Sequence, residues 1–498
     1  MKAVTSGVRS ILLAVAAGLT LALAMPGPGW WPLLLVFPGL LLAALQPAKC
    51  WWHGALLAWL AGTVHWMVAV HWVVDVLSGY GGLPIVAAWG SLLLMGAILG
   101  STWAAAGAVT LLAPAARRVW VFPAVFIVFE VLRRYSPFLF PWNTVASCFS
   151  SLPGVLGSLA VWGATGLGWA TVAFGAGVWA LFDPDTRRSG AVTVAAAFLL
   201  AGGATIVAPD FQSNGEKLKV AVIQPGTTLE ERWDPDSWAE TAERVWGLSR
   251  EAAEQHPDMI LWPESAMPYR IDVDPGYRLG VHRLAEESGA VVVLNSVVAA
   301  PSGGYYNSAF AVHPAGSLSR YDKMRLVPFG EYVPAWAKWF FSDALVNGVG
   351  DFTAGEEARP LPADVPLGMA VCYEIVFPNL SALQVRNGAQ VLVTLTNDAW
   401  YGASWALDQH FAHAVLRAVE NRRWVIRAAL TGISGVVDPG GRVRHRLEAG
   451  RQGVLLAEVH PSKRLTWSSR WGDWWALVSL VTVLAGISGR MRSHRSPR

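Results

Sequence analysis

Charge is scarce in this chain. Asp, Glu, Lys and Arg make up 15% of its 498 residues, against about 25% in ordinary soluble domains, so part of the chain is not solvated by water. The net charge of +3 is too small for a nucleic-acid footprint, and no basic stripe with interleaved aromatics occurs. Cysteine is scarcer still. Cys50, Cys148 and Cys372 stand far apart, which excludes a disulfide framework and zinc-like spacing. No glycine-rich phosphate loop is present. His410 and His413, three apart on an expected helix, lack partner ligands at metal-site spacing, so neither a metal nor another cofactor is expected. Apolar residues are abundant, at 53% of the chain, and the 27 Trp belong to a residue type that favours the headgroup level of a bilayer.

The apolar residues are concentrated at the two ends. Residues 1–209 alternate apolar stretches with short Pro, Gly or Arg breaks, and seven stretches are candidate spans: 11–25, 30–45, 51–74, 83–113, 119–132, 155–182 and 191–208. Several fall short of the roughly 20 residues that cross a hydrocarbon core, but their flanking Trp, Gly and Ser extend them. One further apolar helix is expected at 474–489, followed by a basic tail at 490–498. Lys2 and Arg9 before a run ending Ala22-Leu23-Ala24 also fit a cleavable secretory signal.

Lys and Arg favour the cytoplasmic side. Lys2, Arg9, Lys49, Arg117, Arg118, Arg187, Arg188 and the C-terminal arginines all fall on one side of the expected spans. Both termini are therefore expected in the cytoplasm and the polar region 212–467 outside it. Arg133 and Arg134 break the pattern. Ionisable groups in or beside the spans are few (His53, His65, His71, Asp75, Glu130), and no internal repeat suggests a transporter. The glycines of the sixth span suit close helix packing.

Within 212–467, short β-branched runs alternate with amphipathic helices. Strands are expected at 218–224, 259–262, 290–296, 307–312, 367–372, 390–396, 424–430 and 453–459, and helices at 237–254, 280–288, 379–387 and 407–421. This pattern predicts a layered α/β domain. Three strand ends carry chemistry: Glu264 in Leu261-Trp262-Pro263-Glu264-Ser265, Lys323 in the segment from Tyr321 to Glu331, and Cys372 in Ala370-Val371-Cys372-Tyr373-Glu374. Taken singly, each has an ordinary reading: a helix-capping carboxylate, a solvated loop charge, a small buried hydrophobe. Together a thiol, a carboxylate and an ammonium are the parts of nucleophilic acyl transfer. A nearby ammonium is expected to lower the thiol pKa.

The segments Trp-Pro-Glu-Ser, Asp-Lys-Met-Arg-Leu-Val-Pro-Phe-Gly-Glu-Tyr-Val-Pro and Val-Cys-Tyr-Glu resemble the three motifs of the nitrilase superfamily, in the wording of its apolipoprotein N-acyltransferase branch. Val222-Ile223-Gln224-Pro225, Leu395-Thr396-Asn397-Asp398-Ala399-Trp400-Tyr401-Gly402, Gln409-His410 and Phe140-Pro141-Trp142 extend the likeness over nearly the whole chain. The resemblance implies a multi-span helical membrane domain with an α-β-β-α catalytic domain. It also implies transfer of a fatty acyl group from a phospholipid, through a Cys372 thioester, to the amino terminus of a diacylglyceryl-modified lipoprotein. Glu264 resembles the general base. Lys323, aided by the Tyr373 N–H, resembles the oxyanion stabiliser. Glu331 matches a supporting carboxylate, and Trp233, Tyr373 and Glu374 match positions of substrate placement and site integrity. The aromatic run after the Lys motif, with Trp336, Trp339 and Phe340, suits an interfacial lid. A monomer in the bacterial cytoplasmic membrane is expected. An amidase or nitrile hydrolase acting on small substrates, and a transporter or receptor with a ligand-binding outer domain, remain the alternatives.

Overall fold

The computed structural model describes residues 2–135, 140–207, 211, 213, 215–301, 303–333 and 351–493. It divides into two compact units. One comprises Met1–Pro209, Ser404–Ala412 and Trp471–Arg498; the other comprises Asp210–Ala403 and His413–Arg470.

The first unit is helical. It contains α1 (Lys2–Ala24), α2 (Phe37–Leu45), α3 (Trp51–Ala69), α4 (Ile85–Leu112), α5 (Ala115–Leu132), α6 (Leu159–Ala180) and α7 (Arg187–Val207). Helix therefore covers each of the seven apolar stretches, but unequally. Four of these helices are long and apolar enough to cross a membrane, and α3 makes a fifth when joined to Val73–Tyr80 across a 63° bend. The second stretch is a 3-10 turn, Trp31–Leu35, leading into the nine residues of α2, because Pro32 and Pro38 interrupt the hydrogen-bond ladder.

Small residues line the seam between α3 and α4. A Cβ on Gly100 would sit 3.0 Å from the Thr63 backbone nitrogen, and one on Gly107 would sit 2.8 Å from the Gly54 carbonyl oxygen, so the two backbones approach as closely as glycine allows. Arg133 and Arg134, the two cations that broke the charge pattern, are both buried. Arg133 donates to the carbonyls of Phe140 and Trp142 at 3.1 Å and lies over the Trp66 ring. Arg134 pairs with Asp473 at 2.5 Å. Both cations are held by partners inside the helical unit.

The second unit holds two sheets. Its strands are β1 (Leu218–Gln224), β2 (Met259–Leu261), β3 (Val291–Ala299), β4 (Tyr305–Val312), β5 (Leu318–Asp322), β6 (Leu367–Val371), β7 (Val391–Thr396), β8 (Val425–Ala429), β9 (Ser434–Val437), β10 (Val443–Leu447) and β11 (Gly453–Val459). One sheet runs β11-β1-β2-β3-β4-β5, the other β10-β9-β8-β7-β6. β1, β2 and β3 are parallel, as are β6, β7 and β8. Alternation along the strands makes two cores. Val220, Val222, Leu261, Val293 and Ala309 face the other sheet, while Ala221, Ile223, Ile260, Val292 and Phe310 face the helices α8 (Trp238–Ala253) and α9 (Pro275–Ser288). On the other sheet, α10 (Pro378–Arg386) packs against β6. The architecture is the α-β-β-α sandwich expected from the sequence.

Differences are local. Asp274 caps α9 by accepting the Tyr277 N–H at 2.8 Å, which starts that helix five residues before the apolar periodicity does. β5, β9 and β10 were not foreseen. Two of them, Leu-Ser-Arg-Tyr-Asp and Val-Arg-His-Arg-Leu, lie at sheet edges with much of their length exposed and contain no apolar run. Residues 404–412, expected inside the polar region, cluster with the helical unit; they include the first turns of α11 (Ala406–Asn421).

Candidate active site

Each of the three motif residues stands where a strand of the second unit ends. After β2 the chain passes through Trp262 and Pro263 to Glu264 and reverses at Ser265, whose φ is +58°. The Ser265 N–H donates to the Asn295 side-chain oxygen at 3.1 Å, which pins that turn. Lys323 directly follows β5, and its N–H still pairs with the Asn307 carbonyl of β4 at 2.9 Å, so its backbone is placed by the sheet. Cys372 directly follows β6 with φ +52° and opens the 3-10 turn Cys372–Val376. A non-glycine residue held in that left-handed region is strained and needs support.

The support is Glu374, which is fully buried. Its carboxylate accepts the N–H groups of Val371 at 2.8 Å, Met324 at 2.7 Å and Arg325 at 3.1 Å, together with the Tyr321 hydroxyl. One side chain therefore fastens the end of the lysine strand to the end of the cysteine strand. Burial pushes the Glu374 carboxyl up to about 7, and the backbone donors only partly offset that.

Around Lys323, only 1% exposed, the charges converge. Its Nζ donates to Glu331 Oε1 at 2.8 Å and lies 3.8 Å from Glu264 Oε1. Glu331 is itself held by the Val327 N–H on its other oxygen, at 2.8 Å. The second oxygen of Glu264 accepts the Asn397 N–H at 2.9 Å. Burial works against the Lys323 ammonium, but the Glu331 and Glu264 carboxylates outweigh it and hold the lysine charged. Burial pushes Glu264 above the usual carboxylate range; Lys323 opposes that shift and Glu331 adds to it.

The thiol departs from expectation. Burial raises the Cys372 pKa and the Glu264 charge raises it further, while Lys323 offsets only part. Burial is the larger influence, and the lysine works against it.

Tyr373 is buried edge-to-face against Phe377 at 5.3 Å. Trp233 is not among this buried group. It is 65% exposed at the end of the short helix Leu229–Trp233, with the Arg232 guanidinium 5.6 Å from its ring. Trp336, Trp339 and Phe340 lie outside the described residues. Sequence reasoning missed Asn295 and Asn307, whose amides sit among the charges; Asn307 was the first residue of an expected strand, and its polarity at a strand start was the available signal. It also missed the fully buried pair between Arg427 and Asp398, at 2.5 Å, although Asp398 lies in a segment that carries the family likeness.

Two family descriptions match this chain: residues 17–177 match the apolipoprotein N-acyltransferase N-terminal domain, and 219–468 match carbon-nitrogen hydrolase. Over 504 aligned positions the chain is 32% identical to a protein of Geobacter metallireducens named apolipoprotein N-acyltransferase, covering 97% of this chain and 96% of that one. The chain belongs to the apolipoprotein N-acyltransferase family. Relatives bearing the same name in Methylococcus capsulatus and Pseudomonas aeruginosa are 30% and 31% identical, with 97% and 96% of this chain covered and 95% and 94% of theirs. The family's two parts fall on the helical segments α1–α6 and on the two-sheet unit.

Proposed function

We propose that the chain transfers a fatty acyl group from a phospholipid to the α-amino group of the N-terminal diacylglyceryl-cysteine of lipoproteins, through a thioester on Cys372. Family membership makes it a membrane-associated acyltransferase of lipoprotein substrates. The donor, the intermediate and the residue roles are the proposal, and the convergence of Glu264 and Glu331 on Lys323, with Glu374 fastening the Cys372 turn to the end of the lysine strand, carries it.

Glu264 takes the thiol proton as Cys372 Sγ attacks the ester carbonyl. Its raised pKa suits a group that must accept and then return a proton near neutral pH. Negative charge develops on the carbonyl oxygen, where the Lys323 ammonium and the Tyr373 N–H stabilise it. The tetrahedral species collapses, the lysophospholipid oxygen leaves with the proton held by Glu264, and the acyl group stays on sulfur. In the second half the lipoprotein amine attacks the thioester, Glu264 takes the amine proton, and the thiol is restored. Splitting one transfer into two steps gives ping-pong kinetics. Water must be excluded between the halves, since hydrolysis would discard the acyl group. The two-sheet unit lies on the outer face of the bacterial cytoplasmic membrane, both termini lie in the cytoplasm, and the enzyme acts as a monomer.

Intact-mass spectrometry of the purified enzyme with phospholipid alone tests this reading. A gain of one fatty-acyl group, discharged by a lipopeptide bearing a free diacylglyceryl-cysteine amine, is expected. Absence of the adduct together with hydrolysis of small amides would overturn it in favour of an amidase. Absence of both in active membranes would favour a binding protein.

A further inference from the structure

We infer that Asn307 is a positioning residue that holds Glu264 and Glu331 together on Lys323, and that its orientation is set by Asn295. The inference rests on the proposed role of Glu264 as the base. The Asn307 side-chain nitrogen donates to Glu264 Oε1 at 2.9 Å and to Glu331 Oε1 at 3.1 Å. Both of its hydrogens are thus spent on carboxylates, and the same two oxygens face the lysine. Two like charges brought this close repel and raise one pKa strongly. A neutral group with two donors on one nitrogen reduces that repulsion without adding charge, which only an Asn or Gln amide can do.

A chain of hydrogen bonds decides which way the amide points. The Ser265 N–H donates to Asn295 Oδ1 at 3.1 Å, so the Asn295 nitrogen must face the other way. That nitrogen donates to the Ser308 carbonyl at 3.0 Å and to Asn307 Oδ1 at 2.6 Å. With its oxygen taken, Asn307 can only present its nitrogen to the carboxylates. The turn after β2 thereby dictates the donor at the tip of the residue it carries. Asn295 and Asn307 are both buried, so water does not compete.

The test measures the pH dependence of single-turnover acyl-adduct formation in full-length enzyme. Asn307→Asp is isosteric and places a third carboxylate against the pair, so the acidic limb should move up by about one pH unit or more. The rate at pH 7 should then fall by about tenfold or more. Asn307→Ala removes the donor without adding charge, so its limb should move in the same direction by less, with KM for phospholipid unchanged. Where the aspartate variant does not fold, as judged by thermal unfolding and gel filtration, the alanine variant carries the test. An acidic limb that stays in place in the folded variants, whatever the loss of rate, assigns Asn307 a merely structural role and overturns the inference. Failure of the wild type to form any adduct is a different result: it removes the proposed function, and this inference with it.

Discussion

In the helical unit many large apolar side chains point outwards. Leu94, Phe198 and Ile206 are 62%, 70% and 85% exposed, while Ala58, Ala61, Gly62 and Thr63 are buried. In the two-sheet unit it is charge that faces outwards. Val220, Ile260, Val292 and Leu395 are fully buried, and the outward positions of α8 are Glu240, Glu243, Arg250 and Glu251. Burial of apolar area stabilises the second unit, because its surroundings are water. That force is absent between helices solvated by hydrocarbon, where close contact of small residues takes its place. The two-sheet unit gathers Glu264, Lys323, Glu331 and Glu374 at three strand ends, as reactive sites gather in layered α/β folds, whereas the cations Arg133 and Arg134 of the helical unit hold backbone and a partner in place.

Five changes sharpen this contrast, beginning with the one of greatest effect. Cys372→Ala should abolish the acyl adduct and lower turnover by about 10⁴-fold or more, with thermal unfolding unaltered; an adduct that persists places the nucleophile elsewhere. Glu331→Gln should slow adduct formation by about 10²-fold, because Lys323 loses its anchoring charge. The pH profile should respond as well. The proposed mechanism requires the base form of Glu264, so wild-type activity should fall as pH drops through its raised pKa, above the usual range of about 4.3. Since the Glu331 charge contributes to that rise, Glu331→Gln should move the acidic limb downwards, and a limb that moves up would refute the electrostatic account.

The next two changes probe the solvents of the units. Leu94→Lys, at an outward position of α4, should destabilise by about 2.5–3.5 kcal/mol in lipid nanodiscs. Val443→Lys, on the exposed edge strand β10, should stay within about 0.5 kcal/mol. Equal costs would end the reading of the first unit as lipid-solvated. Gly100→Val should cost about 1–3 kcal/mol by wedging α3 from α4, measured by the same unfolding curves.

Much of the fold was legible because most elements carry a clear apolar pattern of their own. Strand positions 218–224 and 453–459 coincide with β1 and β11, since their residues are apolar enough to register on their own. Edge strands such as β10, Val-Arg-His-Arg-Leu, were not legible, because an exposed strand needs no apolar alternation and is defined by its neighbour's hydrogen bonds. Among the site residues, Glu264, Lys323 and Cys372 stood out through motif wording and position at strand ends. Asn295 and Asn307 did not, because an Asn inside a strand looks the same in sequence whether it faces solvent or bridges two carboxylates.

By itself the sequence determined which parts of the chain are apolar helices and which a layered domain, through apolar run length and charge density, and which three strand ends carry the thiol, the ammonium and the carboxylate. Only the tertiary structure decided the electrostatics of those groups. The thiol pKa depends on the balance between burial, Glu264 and Lys323, and that balance exists only once three strands from two sheets end side by side. It also decided that Arg133 and Arg134 are internal props, because a cation's partners are set by packing and not by its position along the chain.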